Sequence, residues 1–427
     1  MSPPHRPRAR LALHTRIVLG LLFGAAAGIA ANQLAPGAPW VRWIGDNVAG
    51  PAGQVFLRLL LMTVVPLVFA SIALGVASLG NLAHVGRIGA LSLGFFVFSS
   101  VCAAVLGLTL VGLFEPGSGV PVEVRDELLA TYRTQAEGLR ASGPANFGVD
   151  TFLNIVPRNP IRAAADMDML AVLFTAAIFG AALTLLPEQK SRPILDLLDG
   201  LVHVVLRIID FAMRLAPYGV FGLIFVVTSR FGWDLLGQLG GYVAVVLGGL
   251  ALHALVVIST FVRVLGGMNP LTFWRRIRAS VVTAFSTSSS SATLPTNLAV
   301  AERELGIPPR IAGFVLPLGA TMNMNGTALY EGVTVLFLAS LFGVELSLAQ
   351  QVMVVALSVL TAIGAAGVPG GSLPLLMMVL ATVGVPAEGI AIVVGVDRIL
   401  DMSRTVVNIA GDLAASLFVA RREAAGA

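Results

Sequence analysis

The sequence predicts an all-α integral membrane protein, with eight transmembrane helices and two re-entrant helical hairpins set among them. Three observations predict it. Of 427 residues, 56% are hydrophobic and only 12% charged, with a mean hydropathy of +0.89, whereas soluble domains carry about 25% charged residues. Apolar runs of about 20 residues, the length one helical crossing needs, recur along the chain. Two further segments have apolar arms too short to cross alone, and strings of serine or glycine at their centres.

The first run, from about Leu11 to Ala31, follows Arg6, Arg8 and Arg10 and includes Arg16. A cleaved signal begins in the same way. This run is long enough to span and is followed by more membrane, so it reads as a first helix with a cytoplasmic start. Spans follow at about Val55–Val76 and Ile88–Phe114, and the polar, mixed-charge stretch Glu115–Asp150 reads as an exposed loop. Three more spans lie near Met169–Leu186, Leu201–Ser229 and Leu236–Val262. The count returns the chain to the cytoplasm, where Arg263, Arg275, Arg276 and Arg278 agree with the positive-inside rule.

The stretch "ASVVTAFSTSSSSATLPTNLAVAE" breaks the count. Arg278 precedes it and Arg303 and Arg310 follow it, so both ends read as cytoplasmic and the segment as a hairpin with the serines at its tip. Non-helical backbone at that depth survives only inside protein or along a wet cavity. Between Ile311 and Asp397 there is no Lys or Arg. One apolar span here is interrupted by "TMNMNGTALYE" and the next by "GAAGVPGGS", which reads as the tip of a second hairpin entered from outside. The last helix returns inward at Arg421 and Arg422. The tips "SSATLP" (Ser290–Pro295) and "GGSLP" (Gly370–Pro374) share Leu-Pro, and Ser291 to Asn323 and Pro369 to Asp401 are both steps of 32. Hairpins opening from opposite faces are the inverted-repeat pattern of secondary transporters, with substrate near the midplane.

On the last helix, Asp397, Asp401, Arg404, Asn408 and Asp412 fall within about 80° of one another, with Thr405 at the edge. Each charge costs roughly 2.5–3.5 kcal/mol at a bilayer centre unless it is paired. An ion-pair ladder between helices would account for the stripe. So would a zwitterionic anion with cations, because an arginine fork binds carboxylate and an aspartate takes ammonium.

With "TSSSSATLP" (Thr287–Pro295), "NMNGTALYEG" (Asn323–Gly332), "GAAGVPGG" (Gly364–Gly371) and "DRILDMSRTVVNIAGD" (Asp397–Asp412), the chain resembles the glutamate/aspartate transporters, the dicarboxylate/amino acid:cation symporters. Met62–Gly80 and "IVPRNP" (Ile155–Pro160) extend the resemblance over nearly the whole chain. It implies a homotrimer in the cell inner membrane with cytoplasmic termini. Residues 1–80 would hold scaffold helices 1 and 2, and 81–114 transport-domain helix 3. Residues 115–230 would hold the external loop and scaffold helices 4 and 5. Residues 231–427 would complete a transport domain that moves as an elevator. The cargo would be acidic amino acids coupled to protons, sodium or both, with C4-dicarboxylates as the alternative. No cofactor and no nucleic-acid partner are expected.

The resemblance also assigns residues. Arg404 would bind the side-chain carboxylate and Asp401 the amino group. Ser289, Ser290, Ser291, Thr327, Val368, Gly370, Thr405 and Asn408 would complete the shell. One sodium would use Asp412, Asn408, Asn323 and the carbonyl of Gly319. A second would use Thr321 with carbonyls near Ala362 and Ala365, and a third Ser99, Ser100, Asn323 and Asn325. Position 325 is Asp in most relatives, so Asn325 removes a charge there. Ser288 stands where archaeal relatives carry arginine, and Met402 where animal relatives do; Arg398, common in bacterial members, is a nearby charge. Glu331 matches a glutamate that animal relatives use in proton coupling, and reads either as a proton carrier or as a structural acid.

Other classes fit less well. The net charge of +4 and pI near 9.8 come from arginines at loop ends, and Lys190 is the only lysine, so no polybasic patch exists. The single Cys102 excludes a disulfide framework and a cysteine metal site, and reads as a buried small side chain. A serine hydrolase needs a His or Lys base, and His5, His14, His84, His203 and His253 all precede the serine string. A passive channel would not need the Asp401 and Arg404 pairing. His203, Arg207, Asp210 and Arg214 share a helix face and read as a scaffold ion-pair stripe, and Phe95, Phe96 and Phe98 as packing.

Overall fold

The computed structural model describes residues 13–85, 87–119, 156–166, 169–365, 367 and 369–424, and among these every regular element is helical. Arg6, Arg8 and Arg10, most of the predicted external loop, Ile155 and Val368 lie outside them. The helices are α1 (Leu13–Leu34), α2 (Gly50–Val85), α3 (Arg87–Phe114), α4 (Met169–Thr184) and α5 (Glu188–Leu252). They continue with α6 (Arg278–Thr287), α7 (Ser290–Arg303), α8 (Pro309–Met322), α9 (Asn325–Leu341), α10 (Leu348–Gly364), α11 (Leu373–Thr382) and α12 (Ile390–Ala424).

Five stretches among the described residues are long and apolar enough to cross a membrane: Thr15–Leu34, Pro39–Ala77, Arg87–Phe114, Glu188–Arg230 and Leu236–Val264. The last two lie on one helical run interrupted at Gly232, whose φ of 63° and ψ of −138° are not helical. The predicted second span is extended by the helix Pro39–Ile44 and a π-helical turn, Gly45–Ala49, that runs directly into α2. Helices α4 and α9 have 16 and 17 residues, short of a full crossing on their own.

Small residues let backbones approach. A Cβ on Gly24 of α1 would stand 2.6 Å from the carbonyl oxygen of Phe221 on α5, and one on Gly28 would stand 2.8 Å from that of Phe225. This is the small-residue packing that membrane helices use where lipid gives no hydrophobic drive for association. The same device joins α9 to α12, where a Cβ on Gly326 would lie 2.6 Å from the Arg404 carbonyl oxygen and 3.0 Å from Val407 Cβ. Overpacking of this kind costs about 1–3 kcal/mol. Gly326→Ala is therefore expected to lower the thermal unfolding midpoint of the detergent-solubilised protein and to weaken substrate binding. An unchanged midpoint would show that α9 and α12 are not so close.

Both predicted hairpins take broken-helix form. Helices α6 and α7 pack side by side, joined by Ser288, at φ 51°, and Ser289, whose Oγ caps α7 by accepting from Ala292 N at 3.1 Å. Helices α10 and α11 are separated by residues 365–372, with α10 opened by a Ser347/Gln350 capping box. Helices α8 and α9 are separated only by Asn323 and Met324. Nearly every residue of α9 is buried, as are most of the residues of α12.

Three smaller readings shift. Cys102 is half-buried rather than buried. Phe95 and Phe96 are buried as packing residues, but Phe98 is 55% exposed, although its ring contacts Phe261 at 5.6 Å. On α5, Arg207 pairs with Asp210 at 3.5 Å, whereas His203 pairs outside the proposed stripe, with Asp199 at 3.3 Å.

Candidate functional site

The two hairpin tips meet. Ser289 Oγ donates to the Gly367 carbonyl at 2.6 Å, and Ser291 N donates to the same oxygen at 3.1 Å. Beneath this junction lies a tight polar cavity of about 10 Å³ lined by Ser288, Ser290, Met324, Thr327, Gly367, Ser372, Asp401, Arg404, Thr405 and Asn408. A larger hollow between α5, α6 and α12 is lined by residues such as Leu250, Val281 and Phe285 and has no charged group.

Arg404 is the centre of the cavity's charge and is 1% exposed. Its Nε and one terminal nitrogen donate to Asp401 Oδ1 at 3.1 and 2.9 Å, and the other terminal nitrogen donates to Asp397 Oδ1 at 3.1 Å. The guanidinium lies 4.1 Å above the centroid of the Tyr330 ring, a cation–π contact that a planar, delocalised charge favours. Asp401 Oδ2 accepts from Gly370 N of the second hairpin at 3.2 Å and lies 3.6 Å from Arg398. The stripe is thus partly a ladder, but one within α12 and not between helices. Thr405 Oγ1 bonds back to the Asp401 carbonyl at 2.7 Å. Asn408 Oδ1 accepts from Gly326 N at 2.8 Å, and its Nδ2 lies 3.4 Å from Thr327 Oγ1.

A second polar group lies around Asp412 and the break between α8 and α9. Asn323 Nδ2 donates to Asp412 Oδ1 at 2.9 Å, and that carboxylate packs on Gly319, where a Cβ would come within 2.5 Å of Oδ1. Asp412 Oδ2, Asn323 Oδ1 and Ser100 Oγ are buried without a hydrogen-bond partner. Asn325 Nδ2 donates to Ser99 Oγ at 2.9 Å, turning the neutral amide's donor toward a hydroxyl expected to ligate an ion. Hard cations such as sodium take oxygen ligands, and orphaned buried oxygens are the chemistry that suits one.

Other expected residues stand apart. Ser291 is exposed, outside the cavity lining, and Thr321 is exposed with its hydroxyl bonded to the Leu318 carbonyl at 3.0 Å. Ala362 and Ala365 are buried at the end of α10. Glu331 is fully buried; Thr361 Oγ1 donates to its Oε2 at 2.5 Å, while Oε1 has no donor. Asp397's direct hold on Arg404, the Tyr330 ring and Thr361 enter only with the structure. Tyr330 adjoins Glu331 in sequence, which could have flagged it, whereas no local signal points to Thr361.

Residues 13–422, nearly the whole chain, match the model of the sodium:dicarboxylate symporter family. The chain belongs to the sodium:dicarboxylate symporter family. It is 34% identical to the proton/sodium-glutamate symport protein of Bacillus subtilis (strain 168), covering 97% of this chain and 94% of that one. It is 35% identical to the proton/glutamate-aspartate symporter of Escherichia coli (strain K12), covering 89% and 86%. It is also 35% identical to the C4-dicarboxylate transport protein of Anaeromyxobacter sp. (strain K), covering 87% and 83%. Membership in the sodium:dicarboxylate symporter family makes the chain a transporter and not an enzyme. The serine string that could suggest a hydrolase serves instead as the cap and tip of a hairpin.

Proposed function

We propose that the protein is a secondary active symporter that takes up glutamate and aspartate with protons, sodium or both. The observation that carries this reading is Arg404, a buried guanidinium in a polar cavity where two hairpin tips meet. Such a fork binds carboxylate bidentately. Its two carboxylate partners, Asp401 and Asp397, orient the fork, and a substrate carboxylate shares it with them. Asp401 then faces the substrate ammonium, while Ser290, Thr327, Thr405 and Asn408 orient the rest. The names of the glutamate and glutamate-aspartate relatives support the same substrate class.

The architecture proposed with it has eight transmembrane helices and two re-entrant hairpins. Residues 1–80 and the helices of 115–230 form a scaffold, and 81–114 and 231–427 form an elevator-type transport domain. The assembly is a homotrimer in the cell inner membrane with both termini cytoplasmic. Purified protein in proteoliposomes, with sodium and pH gradients varied separately, tests the reading. Accumulation of radiolabelled aspartate or glutamate under either gradient supports it, and failure with both substrates under both gradients overturns it.

Proton coupling rests on Glu331, whose Oε1 has no donor although the side chain is fully buried. A carboxyl placed this way is a proton carrier's position in a membrane span. An inward-acid gradient is expected to stimulate uptake. Glu331→Gln is expected to remove that stimulation while leaving exchange of substrate for substrate. Wild-type uptake that follows sodium alone would make Glu331 a structural acid held by Thr361.

A second reading, a C4-dicarboxylate:cation symporter, has its own support. The name of the Anaeromyxobacter relative states that cargo. In addition, Asp401, the residue that would read an amino group, already accepts three hydrogen bonds.

A further inference from the structure

Arg398 lies about one turn before Asp401, on the side of α12 that faces a second, mostly apolar cavity of about 10 Å³. This space is bounded by Ile17 of α1, Phe56 of α2, Met213 and Val220 of α5, and Leu373 of α11. Asp401 lines both this space and the Arg404 cavity and so forms the wall between them. Arg398 is 13% exposed at its side chain; its Nε is buried without a hydrogen-bond partner, and one terminal nitrogen lies 3.6 Å from Asp401 Oδ2. No other carboxylate among the described residues lies in ion-pair range of it.

An ionised carboxylate offers about four lone-pair sites. At Asp401, two on Oδ1 are taken by Arg404, and one on Oδ2 is taken by Gly370 N. One site on Oδ2 remains, and Arg398 is the cation beside it. We infer that Arg398 competes with the substrate's ammonium for Asp401, and so sets the preference between acidic amino acids and amine-free dicarboxylates. This deepens the symporter reading and rests on it. With Arg398 drawn close to Oδ2, an incoming ammonium meets a carboxylate whose last acceptor site is shared with another positive charge, and its affinity falls. A dicarboxylate makes no such demand and also gains from the nearby positive charge. The guanidinium's Nε is buried without a hydrogen-bond partner among the second cavity's apolar walls, and Asp401 is the carboxylate beside it.

The test compares aspartate with malate as competitors of labelled-substrate uptake in proteoliposomes of wild type, Arg398→Met and Arg398→Lys. Met keeps the apolar stem and removes the charge, whereas Lys keeps a charge without the fork. One charge-assisted hydrogen bond corresponds to about a tenfold change in affinity. Arg398→Met is therefore expected to raise the aspartate-over-malate ratio about tenfold, and Arg398→Lys to restore most of the wild-type ratio. If Arg398→Met does not yield folded protein, Arg398→Gln replaces it with the same expectation. A ratio within about twofold of wild type in the charge-removing variant, with cargo still carried, overturns the inference and leaves the symporter reading intact. A wild type that carries neither compound under any gradient removes both.

Discussion

Arg404→Ala is expected to abolish aspartate and glutamate uptake. The change removes the guanidinium and leaves Asp401 and Asp397, which are 5% and 4% exposed, without the partner that now holds both. Breaking a buried ion pair from one side costs about 3–5 kcal/mol, which is about a hundredfold to several thousandfold in affinity. The loss is expected for acidic amino acids and dicarboxylates alike, because both present the carboxylate that the fork receives. A neutral amino acid lacks that carboxylate, so its binding is expected to fall less. Competition uptake with aspartate, malate and serine checks this. Unchanged aspartate affinity in the variant would mean that the carboxylate binds elsewhere.

Asp412→Asn is expected to have the second largest effect, and it acts through the cation. Asp412 has one oxygen held by Asn323 and the other without a donor, in a position with 0% exposure. A carboxylate there neutralises a bare cation, while an amide of nearly the same shape offers one carbonyl oxygen and no charge. Sodium dependence should move to concentrations at least about tenfold higher, with substrate uptake falling in step at fixed sodium, since hydrogen bonds and contacts to charged groups are worth about 1.5–3 kcal/mol. Stopped-flow or equilibrium measurement of sodium binding on the purified variant separates this from a folding defect. A variant with wild-type sodium dependence would place the ion away from Asp412.

The stripe on α12 can be read from sequence because charges at helical spacing stand out in an apolar chain, and all five residues named for it are buried. The two helix breaks can be read for a similar reason, since a serine string between arginine-flanked apolar arms marks the first and a glycine-rich interruption of an arginine-free apolar stretch marks the second. The pairing of these groups is harder to read. Arg404 reaches back to residues three and seven positions earlier on its own helix, which follows from the lean of long helical side chains toward the N-terminus. Thr361's contact with Glu331 joins α10 to α9 across a loop, and no periodicity specifies it. Thr321 follows the family motif, but its own helix turns the hydroxyl back onto Leu318. Phe98 belongs to an aromatic run whose members point different ways around α3, so the run alone does not say which rings are inside.

The long helical run of α5 is broken at Gly232. Just before it, Asn32 of α1 donates to the Ser229 and Arg230 carbonyls at 3.0 and 3.3 Å, and Arg230 pairs with Asp46 at 2.9 Å. Those bonds clamp the end of the first half of α5 to its neighbours. Two residues later the backbone takes a left-handed turn that a side chain would resist, and Leu236 onward is helical again. A clamp followed at once by a break in the helix is the geometry of a hinge. A change of a few degrees at residue 232 would translate into ångströms at the far end of the following helix. In the proposed elevator, stiffening that single joint would brake the movement of residues 231–427 against the proposed scaffold.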